Sequence, residues 1–204
     1  MFSEKNNSMI KNRILFLAAT KEEIDFTFLD TCENVEYLYT GIGKVNSAIT
    51  LMNYFSKFPN CNLSVINIGT CGSAKYDIGE IISILGCSEY GSHFISQNID
   101  LVDISEKVPY CKNKDFILSS DFFISSKTID SREFCEFREK YQNFDMEIAA
   151  IAKVCRSKSI PLSSFKIVSD NLRSEINDWE KILKYLSPKL KEIVVSILDY
   201  HKVN

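Results

Sequence analysis

The sequence predicts an α/β fold, a single domain with a mostly parallel or mixed central sheet flanked by helices. Three observations lead to this prediction. Short apolar runs typical of strands buried on both faces recur along the chain, segments with helical spacing of apolar residues lie between them, and glycines follow several of the runs. The 204 residues, 45% of them hydrophobic, are enough for one substantial core and fit one domain better than two.

The first part of the chain contains four predicted strands and two predicted helices. The run "RILFLAAT" is a candidate for a buried strand because it is short and mostly apolar, and "KEEIDFTFLD" follows it with helical spacing. The predicted strands span residues 13–20, 35–43, 63–72 and 79–86, and the predicted helices span 21–30 and 44–58. Residues 1–12 are polar, without the apolar core of a signal peptide, and we expect them to be flexible.

The second part of the chain is irregular at first and then resumes the alternation. Between residues 87 and 114 we expect loops with at most short strands, followed by strands at 115–120 and 161–170 and helices over 143–155 and 175–200. The helix over 143–155 is predicted from four residues at positions i, i+3, i+4 and i+7, namely Ile148, Ile151, Ala152 and Cys155. The apolar stripe of the last helix is interrupted near Pro188. No linker or repeat marks a domain boundary.

The composition argues against several classes of protein. The formal net charge is −3 with no basic block, which argues against a nucleic-acid partner. Seven cysteines without a C-x-x-C pair and only two histidines argue against a disulfide framework or a metal centre. Free thiols are typical of a reducing compartment, and no apolar run approaches the length of a membrane span. We therefore expect a cytoplasmic protein with no membrane partner.

Two carboxylates follow predicted strands, at the edge of the sheet where α/β proteins bind ligands. Glu23 lies three residues after Thr20, and this T-x-x-E spacing is typical of a capping box at a helix start. The alternative is a carboxylate that faces a pocket and polarises a water molecule. Asp170 ends the strand predicted at 161–170, where it fits either a local turn or an acid that protonates a leaving group.

The start of the helix over 143–155 carries two more carboxylates. Asp145 fits the helix N-cap, and we assign it that structural role. Glu147 suits the helix dipole, but a carboxylate at a strand-to-helix junction can also accept hydrogen bonds from two neighbouring sugar hydroxyls. Met146 offers a polarisable apolar surface for a sugar or a base. For Glu147 and for Met146, a structural role and a functional role are about equally well supported.

Glycine turns and aromatic residues follow other predicted strands. "TGIGK" (40–44) and "GTCGS" (69–73) fit glycine turns, but neither matches a triphosphate loop or a dinucleotide fingerprint. Such turns can bring backbone amides close to a small ligand. Phe122 and Phe123 follow Asp121 at another strand end, where one ring could stack on a flat ligand, although phenylalanine usually packs in a core.

Together, these segments resemble the methylthioadenosine/adenosylhomocysteine nucleosidase family, within the nucleoside phosphorylase superfamily. The resemblance runs from about Ile14 to Lys191 in the order of the family. Its segments are "ILFLAATKEEI", "TGIGKVNSA", "VINIGTCGSA", "IGEIIS", "SSDFF", "DMEIAAIAKVC" and "IVSD". The most specific part is "DMEIAAIA" followed by a strand that ends in Ser-Asp.

The resemblance implies hydrolysis of the N-glycosidic bond of a 5′-modified adenosine, with release of adenine and without a metal or other cofactor. It implies that Glu23 activates the water and Asp170 protonates the departing purine. A homodimer is also implied, because family members commonly complete the pocket with residues of a partner chain. The implied substrate-binding residues are Glu147 and Met146 at the ribose, Phe123 stacked on the purine, Ser169 beside Asp170, and Thr70, Cys71 and Gly72 near the ribose and water.

Three alternatives stay open. Related phosphorylases need cations for phosphate, and Lys44 and Lys75 follow the two glycine segments, although none of the five arginines does. The short segment 87–114, "GTCGS" in place of the more usual G-S-A-G-G, and Asn-Leu after Asp170 leave the substrate open, so a futalosine or aminofutalosine hydrolase is the second alternative. The third is a nucleoside-binding protein without turnover, which the presence of all three acids argues against.

Overall fold

The computed structural model describes residues 13–58, 62–91, 94–95, 97–125, 127, 140–172 and 179–203. Two predictions fall outside these ranges: the flexible residues 1–12 and the start of the last helix at 175–178. The same is true of six residues counted above, namely Cys61, His93, Arg132, Cys135, Arg138 and Arg173. In the described part, no helix is both long and apolar enough to cross a membrane.

Nine strands and three α-helices are found within these ranges. The strands are β1 Arg13–Ala18, β2 Val35–Tyr39, β3 Leu63–Ser73, β4 Ile81–Gly91, β5 Phe94–Ile95, β6 Ile99–Asp100, β7 Asn113–Ser119, β8 Asn143–Asp145 and β9 Leu162–Asp170. The α-helices are α1 Lys44–Lys57, α2 Ile148–Ser157 and α3 Trp179–Val203, and short 3₁₀ helices span Phe26–Leu29 and Ser105–Lys107. The predicted single-domain α/β fold is confirmed.

The sheet is mixed, as predicted. Strands β2, β1, β3 and β9 pair in parallel in that order, while β9 pairs with β4 in antiparallel fashion. Strand β4 continues to β7 and β7 to β8, both in parallel, and β8 returns to β3 with antiparallel pairing. Strands β3, β9, β4, β7 and β8 therefore form a closed ring of pairings, and β1 and β2 extend from it on one side.

Helices cover the two faces of the sheet. Phe16 of β1 belongs to the same buried cluster as Leu190 and Ile193 of α3, whereas Leu15 belongs to a second cluster with Leu51 of α1 and Ile151 of α2. Successive strand residues point to opposite faces, so both faces of a nearly continuous apolar strand become buried. Burial of each such large aliphatic side chain contributes about 1.5–3 kcal/mol, which makes these two layers the main source of stability.

The prediction of a helix over residues 21–30 is wrong. The chain instead makes a turn and a short 3₁₀ helix, Phe26–Leu29, in which the Thr27 amide donates a hydrogen bond to the Asp25 carboxylate. Tyr39 on β2 fixes this path, because its hydroxyl accepts a hydrogen bond from the Phe26 amide and donates one to the Ile24 carbonyl. Tertiary contacts therefore override the helical spacing of the sequence.

The interpretation of "GTCGS" as a turn is also wrong, because Gly69–Ser73 lies inside β3. At Gly72 a Cβ would lie 2.6 Å from Leu172 Cδ2 and 2.9 Å from Asp170 Oδ1, so the glycine is required by close packing with the end of β9. "TGIGK" does form a turn, and Gly43 has a φ of 91° that favours glycine there.

Two helix boundaries also differ from the prediction. The helix predicted from 143 begins only at Ile148, because Asn143–Asp145 forms β8 between β3 and β7. Helix α3 runs from Trp179 to Val203 with Pro188 inside it, so the proline does not end the helix. Strand β4 is longer than predicted and continues to Gly91.

Candidate active site

A cavity of about 480 Å³ opens where β1, β7, β8 and β9 end and β3 passes beneath them. Its wall contains all nine residues that the sequence analysis put forward as site residues: Glu23, Thr70, Cys71, Gly72, Phe123, Met146, Glu147, Ser169 and Asp170. They come from parts of the chain more than 140 residues apart, and the strand pairings bring them together. Residues that the analysis did not put forward also line it, including Ile42, Ser125, Phe144 and Leu172.

Glu23 is held by three hydrogen bonds. Its Oε1 accepts from the Thr70 amide (3.0 Å) and the Thr70 hydroxyl (2.7 Å), and its Oε2 accepts from the Ala19 amide (3.1 Å). No α-helix follows Thr20, so the capping-box interpretation of T-x-x-E is wrong. The contacts instead tie the turn after β1 to β3 and leave a buried carboxylate at the cavity wall.

Asp170 lies in the cavity wall, at the end of β9. Its Oδ1 accepts a hydrogen bond from the Leu172 amide (3.1 Å), and its Oδ2 accepts one from the Ser169 hydroxyl (3.2 Å). The Leu172 contact is the local turn considered from the sequence, so this structural role and exposure to the cavity exist together. Burial raises the pKa of the Asp170 carboxyl above its usual range and favours the protonated form.

Glu147 reaches from the start of α2 to the start of α1. Its Oε1 accepts a hydrogen bond from the Gly43 amide at 2.8 Å, and the side chain is buried at the cavity wall. Burial and then the neighbouring charge of Asp145 raise the pKa of Glu147 to about 7. Its carboxyl group can therefore change protonation near neutral pH.

Asp145 does more than the helix N-cap assigned to it. Glu147, and not Asp145, occupies the residue before α2, although Asp145 Oδ2 does accept a hydrogen bond from the Ile148 amide (3.0 Å). The same oxygen lies 2.8 Å from Lys166 Nζ, and Asp145 Oδ1 accepts from the Ser119 hydroxyl (2.5 Å). Asp145, which also lines the cavity, is thus the centre of a buried charged network at the cavity wall.

Lys166 is the functional candidate that the sequence analysis missed. It lies in the middle of β9 and is only 2% exposed. Burial lowers the pKa of this lysine, but the charges of Asp145, Glu147 and Glu23 outweigh burial and raise it above its usual range. A lone lysine within the apolar run "SSFKIV" is the sequence signal that could have revealed it, because a fully buried lysine needs a charged partner.

Cations are absent from the cavity wall within the described residues, where no lysine, arginine or histidine lines it. Lys44 pairs with Glu89 and Asp121 (2.9 and 3.0 Å), and Lys75 pairs with Asp115 (2.9 Å). Nor do the described residues contain a group of three or more histidines, cysteines or carboxylates arranged to hold a metal ion. The wall therefore offers acids, hydroxyls and apolar surface, which suit an uncharged polar ligand.

Comparisons with known proteins agree with this arrangement. No protein-family model matches the chain. Methylthioadenosine/S-adenosylhomocysteine nucleosidases of Bacillus cereus strain B4264 and Bacillus thuringiensis subsp. konkukian are each 24% identical to it over 190 residues, which is 79% of both chains. The nucleosidase structure from Neisseria meningitidis in complex with methylthio-immucillin-A aligns with a TM-score of 0.76 at 19% identity, covering 92% of this chain and 98% of that one. This chain has the nucleosidase fold.

A hydrolase with a different named substrate shares this fold. The native futalosine hydrolase of Helicobacter pylori strain 26695 aligns with a TM-score of 0.76 at 20% identity, covering 94% of this chain and 99% of that one. The comparisons thus confirm the resemblance predicted from the sequence motifs. The similar TM-scores show that the backbone alone does not distinguish these two kinds of hydrolase.

Proposed function

We propose that this chain hydrolyses the N-glycosidic bond of a 5′-modified adenosine of the methylthioadenosine/adenosylhomocysteine type and releases adenine. The observation that carries the proposal is the meeting of Glu23, Glu147 and Asp170 at one cavity without a lining cation. Cleavage of an N-glycosidic bond passes through an oxocarbenium-like state, which needs an acid at the leaving base and a base at the water. The named relatives and the fold support this reaction.

Asp170 is the proposed acid. Burial raises the pKa of Asp170 and so favours the protonated carboxyl group. This proton would pass to the five-membered ring of the purine as the bond to the sugar breaks. Ser169 orients the group, since its hydroxyl is shared between Asp170 Oδ2 and the Cys71 carbonyl. The electron pair of the broken bond remains with the base, and the positive charge remains on the ribose.

Glu23 is the proposed base. It takes a proton from the water whose oxygen forms the new bond to the ribose C1′, so the products are adenine and a free sugar. Its three hydrogen bonds fix the carboxylate at the cavity wall, where Thr70, Cys71 and Gly72 provide the neighbouring surface. Fixed orientation of such a group removes part of the entropic barrier of the reaction.

Glu147 and two apolar side chains are the proposed substrate-binding residues. The free lone pairs of Glu147 would accept hydrogen bonds from the ribose hydroxyls, and Met146 would pack under the sugar. Phe123 lies at the cavity mouth, where its ring would stack on the purine. The charge of an ionised Glu147 would also stabilise the developing positive charge on the ribose.

Hydrolysis is favoured over phosphorolysis by the charges around the cavity. A phosphate nucleophile needs cations, but Lys44, Lys75 and Lys166 are each paired with a carboxylate. Glu23, placed where the nucleophile would bind, would repel phosphate. We therefore assign water as the nucleophile of the proposed reaction.

The proposed assembly is a homodimer in the cytoplasm. Ile42, Val45, Ile49 and Met52 form an exposed apolar stripe at and along α1, and Ile42 also lines the cavity. Contiguous exposed apolar surface of this kind commonly marks an interface, so a partner chain at this stripe would also border the site. Free thiols at Cys32, Cys71, Cys87, Cys111 and Cys155 support a reducing compartment.

The test of the reaction is release of adenine from methylthioadenosine with and without inorganic phosphate, with free pentose separated from pentose phosphate by chromatography. Adenine and free sugar at a phosphate-independent rate are the expected products. A phosphate requirement with a sugar-phosphate product would instead establish a phosphorylase. Binding without release of base would indicate a binding protein.

Futalosine and aminofutalosine are the second candidate substrates, favoured by the similarity to the Helicobacter pylori hydrolase. They share the N-glycosidic bond and the ribose hydroxyls, so the same three acids would act on them. Assays with equal concentrations of each nucleoside separate the candidates by their kcat/KM values. A larger kcat/KM for aminofutalosine than for methylthioadenosine would reassign the substrate and keep the mechanism.

A further inference from the structure

The first residues of α1 reach two parts of the cavity wall. The Gly43 amide, just before the helix, donates a hydrogen bond to Glu147 Oε1 at 2.8 Å. Lys44, the first helical residue, places its Nζ 3.0 Å from Asp121 Oδ2, in the segment that carries Phe122 and Phe123. One turn therefore contacts both the proposed ribose carboxylate and the segment of the proposed purine-stacking ring.

The Lys44 ammonium joins three elements. It lies 2.9 Å from Glu89 Oε1 and 3.1 Å from the Tyr90 carbonyl oxygen, both on β4, in addition to Asp121 after β7. The ammonium has three donors, and these three acceptors match them. Burial lowers the pKa of Lys44, but the hydrogen bonds to Glu89 and Asp121 outweigh burial and raise it, so the lysine stays charged.

At the cavity mouth the side chains of residues 121–123 are exposed, whereas Ile124 is buried and the Phe122 carbonyl accepts a hydrogen bond from the Ser120 hydroxyl. Phe122 and Phe123 are exposed, although both line the cavity and the Phe122 ring meets the Tyr90 ring edge-on at 6.0 Å. Asp121 is 67% exposed on its side chain, whereas Lys44 is only 8% exposed. We therefore take the buried Lys44 as the fixed partner of the pair, and the exposed Asp121 as the residue through which Lys44 holds the segment.

We propose that Lys44 is a positioning residue that acts through Asp121 to hold the segment 121–124, and with it Phe123, at the mouth of the cavity. The role of Phe123 in stacking rests on the proposed function, whereas the position of the segment does not. A stacked purine is bound in both the ground state and the transition state. Loss of Lys44 should therefore raise KM and change kcat little.

Hydrogen exchange and kinetics together test the proposal, with Lys44→Met and Asp121→Asn as test variants. Lys153→Met is the matched control, because Lys153 also pairs with Glu89 but does not contact Asp121. We expect amides 121–124 to exchange several-fold faster in both test variants than in the wild type and the control. We also expect KM for the nucleoside to rise about three- to tenfold, with kcat within about twofold.

The two test variants should act on one contact, so the double variant should raise KM no more than Lys44→Met alone. Unchanged exchange at 121–124 in Lys44→Met would overturn the proposal, as would a fall in kcat at constant KM. If the wild type released no base from any nucleoside, the proposed function would fail, and the exchange of amides 121–124 would still decide the role of Lys44.

Discussion

At the scale of single residues, the site depends on carboxyl groups in different surroundings. Asp170 and Glu147 are buried with raised pKa values, whereas Glu23 is fixed by three donors. The sequence motifs predicted that these acids matter, because each follows a strand in a segment that resembles a known family. The buried Lys166 could not be placed in the same way, because its contact with Asp145 depends on how the strands pair.

Loss of either proposed catalytic carboxyl group, that of Asp170 or that of Glu23, should reduce turnover much more than it weakens substrate binding. We expect Asp170→Asn and Glu23→Gln each to lower kcat by roughly 10²–10⁴-fold, the usual range for acid–base catalysis, while a substrate analogue still binds. Steady-state kinetics and calorimetric titration with the analogue measure the two effects. Thermal unfolding is the control for folding, and wild-type rates in both variants would contradict the assignment.

Glu147 should make stability depend on pH. Its pKa of about 7 in the folded chain exceeds the ordinary value of 4.5, so the folded state binds the extra proton between these values. This contribution to stability is complete below about pH 4.5 and is lost as pH rises through about 7. Relative to the wild type, Glu147→Gln should therefore gain roughly 1–3 kcal/mol in free energy of unfolding between pH 4.5 and 8.

Chemical denaturation of both proteins across this pH range measures the difference. Glu22→Gln, at an exposed glutamate of the same chain, is the matched control for removal of a charge. A constant difference between Glu147→Gln and the wild type at all pH values would show that Glu147 ionises alike in the folded and unfolded chains.

At the scale of elements, strands were easier to predict than the segments between them. Strands β1, β3 and β9 each contain a short apolar run and are buried along nearly their whole length, and such runs have few other stable arrangements. The segment after β1 has helical spacing, yet contacts of Glu23 and Tyr39 hold it in another path. "GTCGS" resembles a turn because it is rich in small residues, whereas its glycines serve close packing between strands.

The contact between β3 and the end of β9 should not tolerate a side chain at Gly72. A Cβ there would press on Leu172 and Asp170, so we expect Gly72→Ala to lower kcat and to destabilise the fold by about 1–3 kcal/mol. Gly69→Ala on the same strand is the matched control for stability, since its Cβ would lie at an ordinary contact distance of 3.4 Å from Glu23 Oε1 and Lys166 Nζ. Thermal unfolding of both variants and kinetics of Gly72→Ala test this, and equal losses of stability would refute it.

At the scale of the whole molecule, helices cover both faces of the sheet, while part of α1 stays exposed. Leu51 and Phe55 of α1 are buried in the core, whereas Val45, Ile49 and Met52 face away from it. The sequence predicted the helix over 44–58, which the structure has at Lys44–Lys57. The ring of strands could not be predicted, because an apolar run does not specify its neighbour or the direction of pairing.

The proposed homodimer should dissociate when a charge enters the exposed stripe of α1. We expect Ile49→Glu to weaken association at least about tenfold, because a carboxylate would become buried without a partner. Sedimentation velocity over a range of concentrations measures this. Val195→Glu, at an exposed residue of α3, is the matched control. A wild-type protein that sediments as a monomer at all concentrations would rule out the homodimer.

The closed ring of β3, β9, β4, β7 and β8 has a consequence for aggregation. A strand at a free edge offers unpaired backbone groups to another chain, and a closed ring has no such edge along its circuit. Among the described strands, β2, β5 and β6 each pair with one neighbour only, and β2 is the longest of the three, with all five of its residues partly exposed. Ordered self-association would therefore begin at β2, and β9, which carries Asp170, and β8, which precedes Glu147, would be protected from it.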